Sequence, residues 1–507
     1  MLWYTSKRRY LSLSFTSVQF LIFFPIVTVL YFTITQKYRW IWLLITSYYF
    51  YMSWNPQYAV IMAVSTIITY LSGLLIDKAN EISYERKSLQ LKKLWVFLSF
   101  FINLLILFFF KYFIFFTYTI ARIFSYVHIS IQLPTYDVLI PLGISFYTFQ
   151  ALSYTMDVYR KDVKAEKNLG RYALFVSFFP QLVSGPIEKS KNLLHQFNEY
   201  HTFDYARVKN GLLLMLWGFL KKIVISDRLG QLVNTVYNSP NNYKGFEIII
   251  ATVFYAFQIY CDFSAYTDIA RGSAEVLGFR LSRNFERPYF SRSVKEFWRR
   301  WHMSLTGWFK DYLYIPLGGN RCSKIRNYIN IMVVFVVSGL WHGAATNYII
   351  WGTLHGMYLV LGDMLKPIKS KIIKALKLNK NSFNYKLVQV LATFIMVDFA
   401  WIFFRAGTFT IAITLIKNMF YFNPWVFFDG SIFKLGLDSK DFLMALLCLG
   451  IVVIGDLTQR SRSLRRELSN QTMVIRWSVY FTAIVIIFIF GIYGPGYNHQ
   501  QFIYSQF

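Results

Sequence analysis

His342 lies almost at the midpoint of a long stretch without charged residues, which runs from 327 to 362 and reads SGLWHGA at 338–344. An imidazole has an ordinary pKa near 6.5, so it can take up and return a proton near neutral pH. Ionisable side chains inside membrane segments are rare, and most of them serve a function. His342 is therefore the first candidate for a general base, against the alternative of a buried polar residue that serves packing.

The stretch around His342 is predicted to be a helical hairpin that crosses only part of a bilayer. Its first arm, 327–340, has 14 residues and would rise ~21 Å as a helix, whereas a hydrocarbon core is about 30 Å thick. Gly339 and Gly343 permit a helix break and a close approach of two backbones. We expect His342 deep inside the protein or below a thinned outer surface.

Two further histidines are candidates. His355 follows in the sequence WGTLHG at 351–356, and it either takes part in the chemistry or reaches the membrane interface. His302 lies in a segment whose apolar residues recur at helical spacing. These residues are Val294, Phe297, Trp298, Trp301, Leu305, Trp308 and Tyr312.

The periodic segment predicts an amphipathic helix at the cytoplasmic interface, with its tryptophans in the headgroup region. Lys295, Arg299 and His302 share the other face. Such a helix is either a surface anchor or a cationic mouth that holds the phosphates of an acyl donor or an acidic carrier protein.

The elements that position these residues must lie in a membrane. The 507-residue chain is 55% hydrophobic and 15% charged, with a mean hydropathy of +0.38, which excludes an ordinary soluble protein. The net charge of +28 fits basic loops that face anionic lipid headgroups, so the lipid bilayer, and not a nucleic acid, is the expected partner. Cys261, Cys322 and Cys448 show no C-x-x-C spacing, so neither a metal site nor a disulfide framework is predicted.

Charge-free runs predict about eleven membrane-embedded segments, with one or two re-entrant pieces. The run 10–36 is too long for a signal peptide and predicts a retained first span. Asn55-Pro56 divides the run 40–76 into two segments. Pro180, Gly185 and Pro186 indicate a broken or re-entrant segment at 172–187. The runs 210–220 and 248–261, the second ending at Asp262, are predicted to be tilted or partly penetrating.

The charges of the loops predict which side of the membrane each loop occupies. The loop 366–386 has seven lysines and no acid, and 460–476 has five arginines and one glutamate, whereas 406–441 between them is neutral. The positive-inside rule places the two basic loops in the cytoplasm and the neutral one outside. We interpret 1–507 as a single transmembrane domain with its catalytic region at 262–362.

Three motifs together resemble the membrane-bound O-acyltransferase (MBOAT) family: WRRWHMSL at 298–305, WFKDYLYIPLGGN at 308–320 and SGLWHGA at 338–344. Supporting matches are PLGISFYTFQ at 141–150, SYTMDVYR at 153–160, FPQLVSGPI at 179–187, DFSAYTD at 262–268 and WIFFRA at 401–406. The branch that the chain resembles is that of the bacterial alginate and peptidoglycan O-acetyltransferases.

The resemblance implies an all-α polytopic fold, an MBOAT-type ring of helices around a central funnel. It implies catalysis at His342, with His302 as the second functional histidine. Contacts to the substrate or donor are expected at Arg299, Arg300, Trp341, Asn320 and His355. No bound cofactor or metal is expected.

The resemblance also implies the reaction and its place. The expected activity is acetyl transfer from a cytoplasmic thioester, either acetyl-CoA or an acyl carrier protein, to an extracytoplasmic polysaccharide such as alginate or peptidoglycan. An extracytoplasmic SGNH-type acetyltransferase is the expected partner, and the bacterial cytoplasmic (inner) membrane is the expected location, in a multi-pass arrangement.

Two other functions stay open at this point. One is D-alanyl transfer to teichoic acid, although the YIPLGG stretch at 314–319 usually reads differently in those relatives. The other is a transporter that moves an acyl group or glycan without making a bond. The sequence shows no inverted repeat and no acidic coupling residue partnered in both halves, which favours the enzyme. Within the enzyme class, a transient acyl group on His342 is an alternative to general base catalysis.

Overall fold

The computed structural model describes residues 13–129, 140–458, 464–493 and 502–503. Every regular element in these ranges is helical, which confirms the all-α prediction. The helices are α1 (Val18–Thr33), α2 (Gln36–Met52), α3 (Pro56–Ala79), α4 (Glu85–Leu107), α5 (Phe113–Ser125), α6 (Ile144–Tyr159), α7 (Leu169–Ser177), α8 (Phe179–Leu182), α9 (Ser190–Leu193), α10 (Tyr205–Phe219), α11 (Asp227–Asn238), α12 (Phe246–Leu277), α13 (Val294–Arg300), α14 (Met303–Phe309), α15 (Lys324–His342), α16 (Thr346–Met364), α17 (Lys366–Ala375), α18 (Phe383–Arg405), α19 (Phe409–Met419), α20 (Ser439–Thr458), α21 (Leu464–Ser469) and α22 (Met473–Phe490).

Short π-helical stretches continue three of these helices. The segment Phe108–Tyr112 joins α4 to α5, Leu220–Ser226 joins α10 to α11, and Lys310–Tyr314 follows α14. Single turns of 3₁₀ helix lie at Leu194–Asn198, Pro288–Phe290, Pro424–Phe427 and Ser431–Lys434.

Six helices in the described ranges are long and apolar enough to cross a membrane. They are Pro56–Ala79, Glu85–Ser125, Phe246–Leu277, Phe383–Arg405, Ser439–Thr458 and Met473–Phe490. The prediction of a multi-pass membrane protein is confirmed, whereas the number of about eleven embedded segments stays a prediction. The predicted first span begins at residue 10, outside the described residues, and its described part is the shorter apolar helix α1.

Two of the predicted breaks are present. Asn55 caps α3, because its side chain accepts the Gln57 N–H at 3.0 Å. The stretch 172–187 is broken at Phe178, between α7 and α8, and most of it is buried. Protein therefore covers the backbone groups that a break in the helix releases.

The predicted segment end at Asp262 is not a helix end, because α12 continues from Phe246 to Leu277, whereas the predicted tilt or partial penetration of 248–261 stays a prediction. The Asp262 carboxylate is buried inside the protein and lies 2.7 Å from the Lys222 ammonium, which also lies 2.8 Å from the Asp227 carboxylate. A charge can be buried when an opposite charge is beside it. The sequence does not distinguish such a paired aspartate from one that ends a span.

The chain divides into two compact units. Unit 1 comprises 1–215 and 266–282, and in it α3 packs against α4 and α6 while α2 packs against α7. Unit 2 comprises 216–265 and 283–507, and it contains a hairpin of α15 and α16 that packs against α18. All the predicted site residues lie in unit 2. The single domain and the catalytic region at 262–362 stay predictions.

The hairpin of α15 and α16 depends on glycines where the two helices cross. A Cβ atom on Gly352 would collide with the carbonyl oxygen of Phe335, and one on Gly339 would collide with that of Tyr348. Small residues allow membrane helices to approach this closely. The close approach predicted for Gly339 is therefore present.

We expect Gly352→Ala to destabilise the purified protein by about 2 kcal/mol or more, because the added methyl group meets backbone of the neighbouring helix, which cannot rotate away. Gly362→Ala is the matched control: it lies in the same helix, and a Cβ there meets no heavy atom within 4 Å. Melting temperatures in detergent give the comparison. Equal values for the two variants would contradict the close crossing.

Candidate active site

The structure buries His342 at the end of α15, in a surround of aromatic rings. The side chain is 2% exposed. Its ring centroid lies 4.9 Å from that of Trp341, 5.0 Å from that of Trp351 and 5.2 Å from that of Phe404. We call His342 and these three rings the histidine chamber.

The turn after His342 is fixed to α18. Gly343 takes an extended backbone and ends α15. Asn347, at the start of α16, donates its side-chain amide to the carbonyl oxygens of Phe403 at 3.1 Å and Ala406 at 2.7 Å. The end of α18 therefore holds the hairpin tip, and the imidazole with it.

The predicted amphipathic interface helix at 294–312 is wrong in two respects. The helix is broken between α13 and α14, where His302 has φ 42° and ψ 54°, the left-handed conformation. Its tryptophans, Trp298, Trp301 and Trp308, are buried inside the protein, so they do not form an exposed surface that anchors in lipid headgroups. Helical periodicity indicates that a helix has an apolar face, but it does not show whether lipid or protein covers that face. Here protein covers it, because α13 packs against α16 and α18.

His302 is fully buried, and its hydrogen bonds define its tautomer. Its Nδ1 lies 3.1 Å from Asn284 Oδ1, and the same oxygen accepts the Ser304 backbone N–H at 3.2 Å and hydroxyl at 2.9 Å. A backbone N–H can only donate, so the shared Asn284 atom is the oxygen, Nδ1 carries the proton and Nε2 carries the lone pair. Burial lowers the pKa of His302 to about 3, so the ring is neutral near pH 7.

Trp341 joins the two predicted catalytic histidines. Its ring contacts His342, and its centroid lies 6.1 Å from that of His302. Phe263 also packs against the His302 ring, edge to face, with the ring centroids 4.6 Å apart. The structure therefore brings His342, His302 and Trp341 together, whereas their roles in catalysis stay predictions.

The other predicted donor-binding residues divide into two groups. His355 is fully buried beside Trp351 of the histidine chamber, with ring centroids 5.1 Å apart. Arg299 and Asn320 are exposed, and Arg300 donates to Glu296 at 2.6 Å. Among the residues that the structure describes, none of Arg299, Arg300 and Asn320 bonds to either of the two predicted catalytic histidines.

Sequence reasoning missed Asn284, which lies 18 positions before His302 in a non-helical segment and is 1% exposed. Its spacing shows no periodicity, and no signal in the sequence around it, where it stands between Arg283 and Phe285, indicates its contact with His302. The arrangement of site residues offers imidazole nitrogens that can accept and donate protons. Within the described ranges, no three His, Cys, Asp or Glu side chains are grouped to hold a metal ion.

A helical membrane fold with buried histidines at a hairpin tip defines the class of the protein, and comparison with known sequences gives its family. The model of the MBOAT, membrane-bound O-acyltransferase family matches residues 166–373, which include both predicted catalytic histidines. The chain is 34% identical over 504 residues to the probable alginate O-acetylase AlgI of Pseudomonas putida, covering 97% of this chain and 100% of that protein. The chain belongs to the membrane-bound O-acyltransferase family and is an acyltransferase that uses an acyl donor.

Two further relatives differ in how much of the chain they cover. The peptidoglycan O-acetyltransferase of Helicobacter pylori is 31% identical and covers 80% of this chain, with 77% of its own length matched. The teichoic acid D-alanyltransferase of Bacillus subtilis is 30% identical but covers only 47% of this chain, with 62% of its own length matched. The predicted resemblance to the acetylating branch is confirmed.

We expect Asn284→Leu to lower kcat about 100-fold, because the His302 ring loses the acceptor that fixes its proton on Nδ1, as for other histidines whose tautomer is set by a neighbour. Asn284→Asp keeps an acceptor and should restore most of the rate. The carboxylate also favours the imidazolium, so the acid limb of the pH profile should move to higher pH.

Ser304→Ala is the control for Asn284, because the backbone N–H still holds the oxygen when the hydroxyl is gone. Its kcat should stay within about threefold of the wild type. The measurement is CoA release from acetyl-CoA across pH 5–9. An Asp variant as inactive as the Leu variant, with an unshifted profile, would reject the positioning role.

Proposed function

We propose that the protein acetylates hydroxyl groups of an extracytoplasmic polysaccharide, using a thioester made in the cytoplasm. The similarity to the probable alginate O-acetylase of Pseudomonas putida and to the peptidoglycan O-acetyltransferase of Helicobacter pylori, which both match most of this chain, supports this proposal. The acceptor is an exopolysaccharide such as alginate, or peptidoglycan. The location is the bacterial cytoplasmic membrane.

His342 acts as the general base in the proposed mechanism. Its imidazole takes the proton of the acceptor hydroxyl while the oxygen attacks the carbonyl carbon of the acetyl thioester. The new C–O bond forms, the C–S bond breaks, and the proton passes from His342 to the leaving thiolate. The observation that carries the proposal is that His342 and His302, 40 positions apart, are both buried and both packed against Trp341.

His302 orients or polarises the donor in this mechanism, and it does so as a neutral ring. Its Nδ1 proton is donated to Asn284, so Nε2 carries the lone pair and would meet a substrate as an acceptor. His302 therefore positions a donor group of the substrate, such as a hydroxyl or an amide N–H. The base that must both gain and lose a proton in each turnover is His342.

The donor and the partner complete the proposal. The donor is acetyl-CoA or an acetylated carrier protein, and the exposed Arg299 and Asn320 stay candidates for contacts to it. An SGNH-type transferase outside the membrane is the proposed partner that delivers acetyl groups to the polymer.

The test is purified protein in proteoliposomes, given acetyl-CoA on the cytoplasmic side and an acceptor glycan, with or without the partner, on the other. We expect CoA release that depends on the acceptor, together with acetyl ester on the glycan. Movement of acetyl-CoA or glycan without thioester cleavage would instead establish a transporter. Transfer from a D-alanyl carrier, with none from acetyl donors, would place the chain with the teichoic acid enzymes.

A further inference from the structure

His355 and Trp298 form a buried pair for which the mechanism above has no role. The Trp298 indole Nε1 donates to His355 Nδ1 at 3.2 Å, and both side chains are buried. An indole N–H donates only, so His355 Nδ1 must carry the lone pair and the ring must be neutral with its proton on Nε2. The tautomer is therefore opposite to that of His302.

The Nε2–H group of His355 lies inside an aromatic surround. The rings of Trp298, Trp351 and Tyr358 lie 5.0, 5.1 and 5.8 Å from the His355 ring, measured between centroids, and Phe297 stacks nearly parallel to it at 6.3 Å. In the described part of the chain this N–H has no hydrogen-bond acceptor. A buried hydrogen-bond donor without an acceptor lowers the stability of the folded protein by about 1–3 kcal/mol. The tautomer of His355 that leaves its Nε2–H in this state therefore needs an explanation.

The position of His355 suggests what accepts this proton. Trp351 packs against both histidines of the hairpin, with its ring centroid 5.0 Å from that of His342 and 5.1 Å from that of His355. His355 therefore lies next to the histidine chamber and shares the Trp351 ring with it. Its apolar walls disfavour a carboxylate or phosphate, because an ion buried there would lack a counter-charge. A neutral carbonyl oxygen is the acceptor that suits this site.

We propose that His355 donates its Nε2 proton in a hydrogen bond to a carbonyl oxygen of the acyl donor, and that Trp298 is the positioning residue that keeps this proton on Nε2. This inference rests on the proposed acetyl transfer. If the acceptor is the thioester carbonyl, the bond strengthens as negative charge develops on that oxygen during attack by the hydroxyl. If it is an amide carbonyl of the donor's arm, the bond holds the donor without changing along the reaction.

The test compares His355→Phe, which cannot donate, with His355→Gln, whose amide N–H₂ can donate from near the Nε2 position. We expect kcat/KM for acetyl-CoA to fall about 100-fold in the Phe variant and to recover at least tenfold in the Gln variant. Trp298→Phe keeps an aromatic ring but frees the tautomer, and should fall about tenfold. Trp477→Phe, at a 52% exposed tryptophan, is the matched control and should not change.

Binding separates the two carbonyl sources. If the thioester carbonyl is the acceptor, His355→Phe weakens binding of acetyl-CoA or lowers kcat, while CoA itself, which lacks the acetyl group, binds as to the wild type. If the arm amide is the acceptor, acetyl-CoA and CoA weaken equally and kcat is unchanged. Either pattern supports the proposal.

Two results would overturn the donor role of His355. One is a folded His355→Phe enzyme with wild-type kcat, KM and binding. The other is a Gln variant as impaired as the Phe variant, which would leave only a packing role. Should His355→Phe not fold, the Trp298→Phe enzyme decides, because unchanged kinetics there reject the fixed tautomer. Failure of the acetyl transfer itself is separate, since wild-type protein would then release no CoA.

Discussion

A His342→Gln enzyme should release CoA about 10³-fold more slowly than the wild type, with its fold and membrane insertion intact. Loss of a positioned general base costs 10²–10⁴-fold in many enzymes, and glutamine cannot hold the transferred proton. The amide is close in size to imidazole, so the aromatic rings around position 342 keep their contacts. The rate of acceptor-dependent CoA release, normalised to monodisperse protein, gives the answer.

The control for His342 is His195→Gln, because the His195 side chain is 58% exposed and lies 3.5 Å from the Glu199 carboxylate at the surface. We expect wild-type rates from it. A folded His342→Gln protein that acetylates at the wild-type rate would remove His342 from the mechanism. Labelled acetyl groups trapped on the wild type without acceptor, and absent from the variant, would favour the acyl-histidine route over general base catalysis.

Lys222→Met should prevent accumulation of folded protein. Lys222 lies between Asp227 and Asp262, and the three side chains are at most 7% exposed. Removing one partner from a buried ion pair costs about 3–5 kcal/mol, because the opposite charge stays buried without its counter-ion. Here two carboxylates would face each other without the ammonium between them. Yield of monodisperse protein and melting temperature measure the effect.

Two comparisons make the Lys222 result specific. Lys374→Met, at an exposed lysine of α17, should have no effect on yield. Combining Lys222→Met with Asp227→Asn and Asp262→Asn should recover part of the yield, because the amides leave no uncompensated charge. A Lys222→Met protein that melts at the wild-type temperature would show that the three charges contribute little to the fold.

The sequence predicted those features whose cause is local. Asn55-Pro56 begins a helix because the asparagine side chain caps it and the proline suits the first turn. Gly339 permits a close helix crossing because it lacks a side chain. The midpoint histidine of a charge-free stretch is buried because the two arms fold back on each other.

Features that depend on long-range partners could not be predicted. Asp262 can be buried in the middle of a helix because Lys222, 40 positions earlier, lies beside it and pairs its charge. The tryptophans of α13 and α14 are buried only because α16 and α18 cover α13. Asn284 holds His302 through a contact that no periodicity encodes. In each case the residue type is found both at exposed and at buried positions. Contacts with a distant part of the chain determine which of the two it occupies.

The left-handed backbone conformation at His302 sets a conflict between the stability of the fold and the proposed activity at this position. A residue with a Cβ in this conformation costs roughly 1–2 kcal/mol relative to its ordinary conformations, whereas glycine adopts it freely. Histidine at position 302 therefore makes the folded state less stable than glycine would at the same backbone conformation. Selection for thermal stability alone would tend to replace this histidine with glycine. Engineering the protein for stability without an activity screen is therefore expected to give stable variants that have lost activity.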